Sequence, residues 1–262
     1  MQRKPIFEIP TDFPDDIRRF VGRSPLFDSS CSPEARVYFI NKDAGYYLKR
    51  AAEGALAREA QMNAYFHSKA LAPELLKYAT VDGRDWLLSA AAKGEDLTHS
   101  DYLSHPKRLA ARLGEMLRDL HETDYTGCPV MNRTAEYLAY ADKNYHAGTY
   151  DKSAFPDSFG YRSAEEAYEA LEKGRAYLKA DTLIHGDYCL PNVMLDGWKR
   201  HTFIDLGNAG VGDRHIDLFW GAWTLWFNLK NNDYRDTFLD AYGRDMIDPE
   251  LLRVVAAAEV FG

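Results

Sequence analysis

The 262-residue chain has only three cysteines, Cys31, Cys128 and Cys189. They are odd in number and far apart, which excludes a disulfide framework and a C-x-x-C metal site and fits a reducing compartment. No run of about 18 apolar residues occurs, so no spanning helix and no membrane partner are expected. The N-terminal MQRKPIFEIPTDFPDD lacks the apolar stretch of a signal peptide, and the expected location is cytoplasmic. No Lys/Arg run exceeds a pair, and the formal net charge is −8. That argues against a phosphate-backbone partner, so no nucleic acid is expected, and an acidic chain suits a cationic ligand instead. The absence of any repeat of roughly 20 to 50 residues excludes a solenoid.

What is present is an ordinary globular composition, 46% hydrophobic, with seventeen tyrosines and five tryptophans to fill a core. The length suits one large domain or two modest lobes. In the first third, RVYFIN (36–41), GYYLKR (45–50), LLKYATV (75–81) and DWLLSA (85–90) read as strands, with NKDAG a hairpin turn between the first two. Between the second and third, Leu56, Ala60, Asn63, Tyr65 and Phe66 approximate a helical stripe that should pack on the sheet. From about residue 95 the texture turns helical. Leu109, Leu113, Met116, Leu117 and Leu120 recur at steps of three and four, and Ser104 and Pro106 mark the start of their helix. A polar, aromatic middle, TAEYLAYADKNYHAGTYDKSAFPDSFGYRS, comes next; a helix near 163–180, short strands and three closing helices follow. Residues 217–227 are apolar nearly all round, which predicts a core helix with Trp220, Trp223 and Trp226 inside it.

On the short strands of this second half sit HGDYCLPN and IDLG, an H-x-D-x-x-x-x-N followed by D-x-G, which bring in His185, Asp187, Asn192, Asp205 and Gly207. Phosphoryl transfer needs this chemistry: a carboxylate free to take a proton beside two oxygen ligands for a divalent cation. Asp187 would deprotonate an attacking hydroxyl, while Asn192 and Asp205 would bind Mg²⁺ on nucleotide phosphates. Lys49 within a strand and Glu59 on the following helix match the kinase device for clamping phosphates. The loop DSSCSPEARVYF has no G-x-G-x-x-G, so Ser30 and Ser32 are the candidate donors to phosphate. His185 is read as orienting the loop, not as a metal ligand, because His201 and His215 are isolated. Cys189 is read as packing.

These motifs, together with SPEARVYFI, YYLK, REAQMNAYF, LHETDYTGCP and the terminal AAAEVFG, make the chain resemble the aminoglycoside O-phosphotransferases almost end to end, most closely the 3′-phosphotransferase (kanamycin kinase) group. The resemblance implies an α+β, bilobal protein-kinase-like fold: a small N-terminal antiparallel β lobe with one helix (1–92, hinge included) and a larger, mainly helical catalytic lobe (93–262). It implies ATP (or GTP) and Mg²⁺ as cofactors and a cationic antibiotic as substrate, phosphorylated at its 3′-hydroxyl with resistance as the outcome, by a monomer or weak dimer. It further implies that Tyr47 stacks on adenine, that the backbone at Ser89 and Ala91 makes the hinge hydrogen bonds, and that Glu259 and the terminal carboxylate of Gly262 hold the antibiotic. A polycationic substrate needs acidic partners, and Asp157, with Asp151, Glu165 and Glu166, is the candidate in the middle segment.

The chain departs from the family pattern at Asn208, where an arginine is common, in a hinge (LLSAAAKGEDL) without an acidic residue after the serine, and in a glycine beyond the terminal phenylalanine. These leave phosphoryl transfer intact but leave the acceptor open. A kinase of another hydroxyl compound (a viomycin-type peptide, a macrolide, choline or a sugar) and a non-catalytic nucleotide-binding pseudokinase are the alternatives. The complete set of Lys49, Glu59, Asp187, Asn192 and Asp205 speaks against the last.

Overall fold

The computed structural model describes residues 3–31, 33, 35–150 and 160–262; Ser32, Asp151 and Asp157 lie outside them. The chain divides into two compact units, residues 1–94 with 202–207 and residues 95–201 with 208–262.

In the first unit, β1 (Lys4–Ile6), β2 (Leu26–Asp28), β3 (Arg36–Ile40), β4 (Tyr46–Ala52), β5 (Leu75–Val81) and β6 (Arg84–Ala90) form one antiparallel sheet in the order β1-β2-β3-β4-β6-β5. The turn between β3 and β4 carries Asp43 and Gly45 at positive φ, as a tight hairpin requires. Side chains alternate faces along a strand, so the adjacent Leu87 and Leu88 serve opposite layers. Leu88 packs with Tyr38, Ile40, Leu48 and Trp86 against Phe13, Ile17 and Val21. Leu87 packs with Leu56 and Ala60 at the start of α2 (Ala57–Ser68). The buried Asp85 carboxylate accepts the Leu56 N–H at 3.0 Å and the Thr80 hydroxyl at 2.8 Å, which anchors the helix that carries Glu59. The strand β1, the strand β2 and a seven-residue α1 (Asp15–Val21) are additions to the expected sheet. They are too short for a periodic pattern to register.

The second unit comprises β7 (Glu95–Asp96), α3 (Ser100–Leu103), α4 (Pro106–His121), α5 (Arg133–Ala147), α6 (Ala164–Gly174), β8 (Thr182–Ile184), β9 (Val193–Asp196), β11 (Gly210–Gly212), α7 (Arg214–Leu229), α8 (Arg235–Tyr242) and α9 (Pro249–Glu259). The strand β10 (Arg200–Phe203) pairs with β9, and β8 pairs with β11. Helix α4 buries the expected leucines and Met116 completely. Its Gly114 lies against α8, where an added Cβ would fall 2.3 Å from the Phe238 carbonyl oxygen.

Two expectations change. The polar middle holds a helix, α5, started by Asn132, whose side chain accepts the Ala135 N–H, and ended by Gly148 at φ 66°. Its apolar stripe is hidden because it is built from Tyr137, Leu138, Ala141 and Tyr145 beside a buried Asn144. Helix α7 is not a core helix all round. It buries Ile216, Asp217, Leu218, Gly221, Thr224 and Leu225, whereas Trp226 and Phe227 are 45% and 47% exposed. The small Gly221 and Thr224 lie on the packed face, and Trp223 and Trp226 line the other side, with Trp223 stacked on Phe227 at 4.9 Å. Among the described residues no helix is long and apolar enough to cross a membrane.

Gly114→Ala should force α4 and α8 apart at the cost of about 1–3 kcal/mol. The urea midpoint of the full chain is expected to fall; an unchanged midpoint would show that this helix contact can relax freely.

Candidate active site

Lys49 lies opposite Leu87 in the β4/β6 register and so shares the sheet face that α2 covers. Its Nζ donates to Glu59 Oε1 at 2.6 Å and also to the Asp205 carboxylate. Asp205 sits at φ 60°, a left-handed conformation that Asp tolerates better than most residues and that aims its side chain off the turn. Burial by itself disfavours the Lys49 ammonium, but the charges of Asp205 and Glu59 outweigh it and hold the amine above its ordinary range. Burial raises the Glu59 carboxyl, Lys49 opposes that, and Asp205 adds to it. The group is a cation shared between two carboxylates, one of them, Asp205, about 42% exposed and open to a ligand.

In the second unit the loop from His185 to Asn192 is pinned from below. Asp217, fully buried on α7, accepts the His185 N–H through Oδ2 and the Gly186 N–H through Oδ1, both at 2.7 Å. Gly186 has φ 78°, and an added Cβ would fall 2.1 Å from the Asn208 carbonyl oxygen, so only glycine fits this turn. Beyond it, Asn192 Nδ2 donates to Asp187 Oδ2 at 2.8 Å and to the Asp187 carbonyl at 3.0 Å. The amide nitrogen of Asn192 is thereby committed, which leaves Oδ1 as its oxygen donor. Burial pushes the Cys189 thiol up, and the neighbouring Asp187 carboxylate adds to this, so the sulfur stays protonated and is no nucleophile.

Glu259 is buried at the end of α9, where its Oε1 accepts from Tyr137 Oη at 2.8 Å and Trp220 Nε1 at 3.0 Å. Burial pushes its carboxyl up to about 7; the two donors oppose the shift and the charge of Asp187 adds to it. Gly262 closes back on this residue, its N–H donating to the Glu259 carbonyl at 3.2 Å.

Tyr47 pairs with Ser89 in register and its hydroxyl accepts from Arg3 at 2.9 Å. The Ala91 N–H donates to the Gly45 carbonyl at 2.9 Å, so a ligand needing that donor has to compete for it. Asn208, at the arginine position of the resemblance, accepts instead from an arginine of another element: Arg133 on α5 donates to its carbonyl and to its Oδ1. Glu166 is engaged locally, its carboxylate taking the Arg162 N–H and guanidinium. Ser32 and Asp157 fall outside the described residues. Among the described residues no three or more His, Cys, Asp or Glu side chains converge as a metal site.

Sequence reasoning missed Asp217, Tyr137 and Trp220. Asp217 left one signal: an acidic residue inside the apolar HIDLFWGAW, where burial demands a partner.

A profile of the phosphotransferase enzyme family, APH, matches residues 33–255. The chain belongs to the aminoglycoside phosphotransferase family. A probable aminoglycoside 3′-phosphotransferase of Lactococcus lactis subsp. lactis (strain IL1403) is 47% identical to it, the match covering 95% of each chain. An aminoglycoside 3′-phosphotransferase of Niallia circulans is 28% identical over 95% of this chain and 97% of its own. Among solved structures, the crystal structure of a type VIII aminoglycoside 3′-phosphotransferase superposes with a TM-score of 0.74 at 24% identity, covering 95% of this chain and 98% of its own. The fold is therefore the bilobal α+β, protein-kinase-like one, with a small sheet-and-helix lobe before a larger helical lobe. As a member of this family the chain is a nucleotide-dependent phosphotransferase acting on a hydroxyl acceptor.

Asp217→Asn would turn an NH₂ toward backbone N–H groups and leave donors facing donors. It is expected to cost about 3 kcal/mol in unfolding free energy, measured by urea denaturation; wild-type stability in the variant would mean that the carboxylate does not hold the loop.

Proposed function

We propose that the protein phosphorylates the 3′-hydroxyl of an aminoglycoside, with ATP or GTP as donor and Mg²⁺ as cofactor, and thereby confers resistance. The observation that carries this reading is the pairing of the half-buried Asp187, fixed by the Asn192 amide at 2.8 Å, with a buried carboxyl, Glu259, within reach of its charge. One group is suited to take a proton and the other to receive an ammonium group.

In the proposed reaction Asp187 accepts the proton of the acceptor hydroxyl, whose oxygen attacks the γ-phosphorus in line. The bond to the bridging β,γ-oxygen breaks and the nucleoside diphosphate leaves. Lys49, held by Glu59, neutralises charge on the α- and β-phosphates. Mg²⁺, when bound, would neutralise phosphate charge. Asp205 and Asn192 Oδ1 are hard oxygen donors of the kind that would hold it. Tyr47 would stack on the base, and the backbone at Ser89 and Ala91 would contact its edge. Gly262 would join Glu259 on the antibiotic. Ser32 and Asp157 keep their proposed roles toward phosphate and substrate.

The test is ADP release by the purified chain with Mg²⁺ and a panel of acceptors, kanamycin against lividomycin, which lacks the 3′-hydroxyl, with viomycin, a macrolide and choline beside them. Turnover of kanamycin but not lividomycin is expected; silence on every aminoglycoside would remove this substrate. Asp187→Ala should lower kcat by about 10³-fold or more while ATP still binds, and near wild-type turnover would remove the base.

Glu259 gives a pH dependence. Its folded value of about 7 means that it gains a proton and loses its charge as pH falls through neutrality. KM for a cationic acceptor should therefore rise as pH falls below about 7, and Glu259→Gln should have a high KM that no longer varies there.

A further inference from the structure

Beneath the loop that carries Asp187 lies a buried chain of hydrogen bonds to which the proposed reaction assigns no role. His121, the last residue of α4, is buried, with Nε2 3.2 Å from Asp217 Oδ2 and Nδ1 2.9 Å from Tyr242 Oη on α8. A carboxylate only accepts, so the His121 ring nitrogen that faces Asp217 must be the donor. Nδ1 is then an acceptor, and the proton of the neutral imidazole stands on Nε2, facing Asp217. The opposite tautomer would set a nitrogen lone pair against a carboxylate oxygen. Burial, which Asp217 only partly opposes, holds the imidazole below its ordinary range and keeps it neutral.

We propose that His121 is a positioning residue for phosphoryl transfer: its Nε2–H fixes the Asp217 carboxylate plane, which sets the His185 and Gly186 backbone, and the Tyr242 hydroxyl holds the other ring nitrogen. Two backbone donors at 2.7 Å, one on each oxygen, leave the carboxylate able to tilt about its Cβ–Cγ bond. The third donor, from a different helix, removes that freedom. Asp187 follows Gly186 directly, so a tilt of Asp217 becomes a displacement of the carboxylate that must meet the acceptor hydroxyl. Misplacement on the ångström scale is enough to cost about 100-fold in rate.

The experiment uses the full chain and three variants: His121→Leu, which removes the donor; His121→Gln, whose terminal amide can place an N–H near the Nε2 position; and Tyr242→Phe, which removes the partner of Nδ1. Amide hydrogen exchange of the segment around His185 and Gly186 is read alongside kcat and the KM for ATP. In His121→Leu, exchange there should quicken by about 10-fold or more and kcat should fall by about 10- to 100-fold, with KM for ATP within about two-fold of wild type. His121→Gln should recover most of both. In Tyr242→Phe, the imidazole nitrogen shifts should change at Nδ1 while Nε2 keeps its proton. Wild-type exchange in His121→Leu, or a Gln variant as impaired as the Leu variant, would overturn the proposal. If the Leu variant does not fold, the Gln and Phe variants decide it by the same two readings. The kinetic arm rests on the function proposed above, whereas exchange and nitrogen shifts do not: a wild-type chain silent on every acceptor would sink that function and leave this test standing.

Discussion

One buried carboxylate organises the second unit. Removing Asp217 from water costs several kcal/mol unless its oxygens are filled, and the fold fills them with the N–H groups of His185 and Gly186 and the imidazole of His121. The loop can satisfy that carboxylate only by turning at Gly186 with a positive φ, and the close approach of Asn208 leaves no space for a side chain there. The turn in turn presents Asp187 to Asn192. A position that looks like a local sequence motif is thus held by a residue thirty positions away on another helix.

The first unit solves a similar problem with opposite signs. An ammonium on the inner face of a sheet is costly unless paired, and Lys49 is paired twice, with Glu59 and with Asp205. Two carboxylates on one cation leave the group with a net negative charge, which a nucleotide-bound cation would relieve. The Asp205 backbone conformation, unusual for a residue other than glycine, follows from delivering its side chain to that cation at the end of β10. Glu59 holds its place because Asp85 anchors the first turn of its helix.

Glu259 shows how strongly environment decides the chemistry of a group. Its covalent identity is that of a surface carboxylate, yet burial among Tyr137, Trp220 and the chain end lifts it into the neutral range.

The sequence alone determined the reaction class and most of the fold, because phosphoryl transfer demands fixed chemical types at fixed spacings and because β3 to β6, α2 and α4 carry plain periodic patterns. It hid α5, whose buried stripe is made of tyrosines and an asparagine, and it misjudged α7, where apolar character all round concealed which face is packed. Periodicity records how apolar a residue is, not which neighbour covers it. Only the tertiary structure decided that Asp217 holds the loop, that Asn208 meets Arg133 and that Glu259 is buried between Tyr137 and Trp220. Each of these is a contact between distant elements, and such contacts depend on packing geometry that spacing along the chain does not encode.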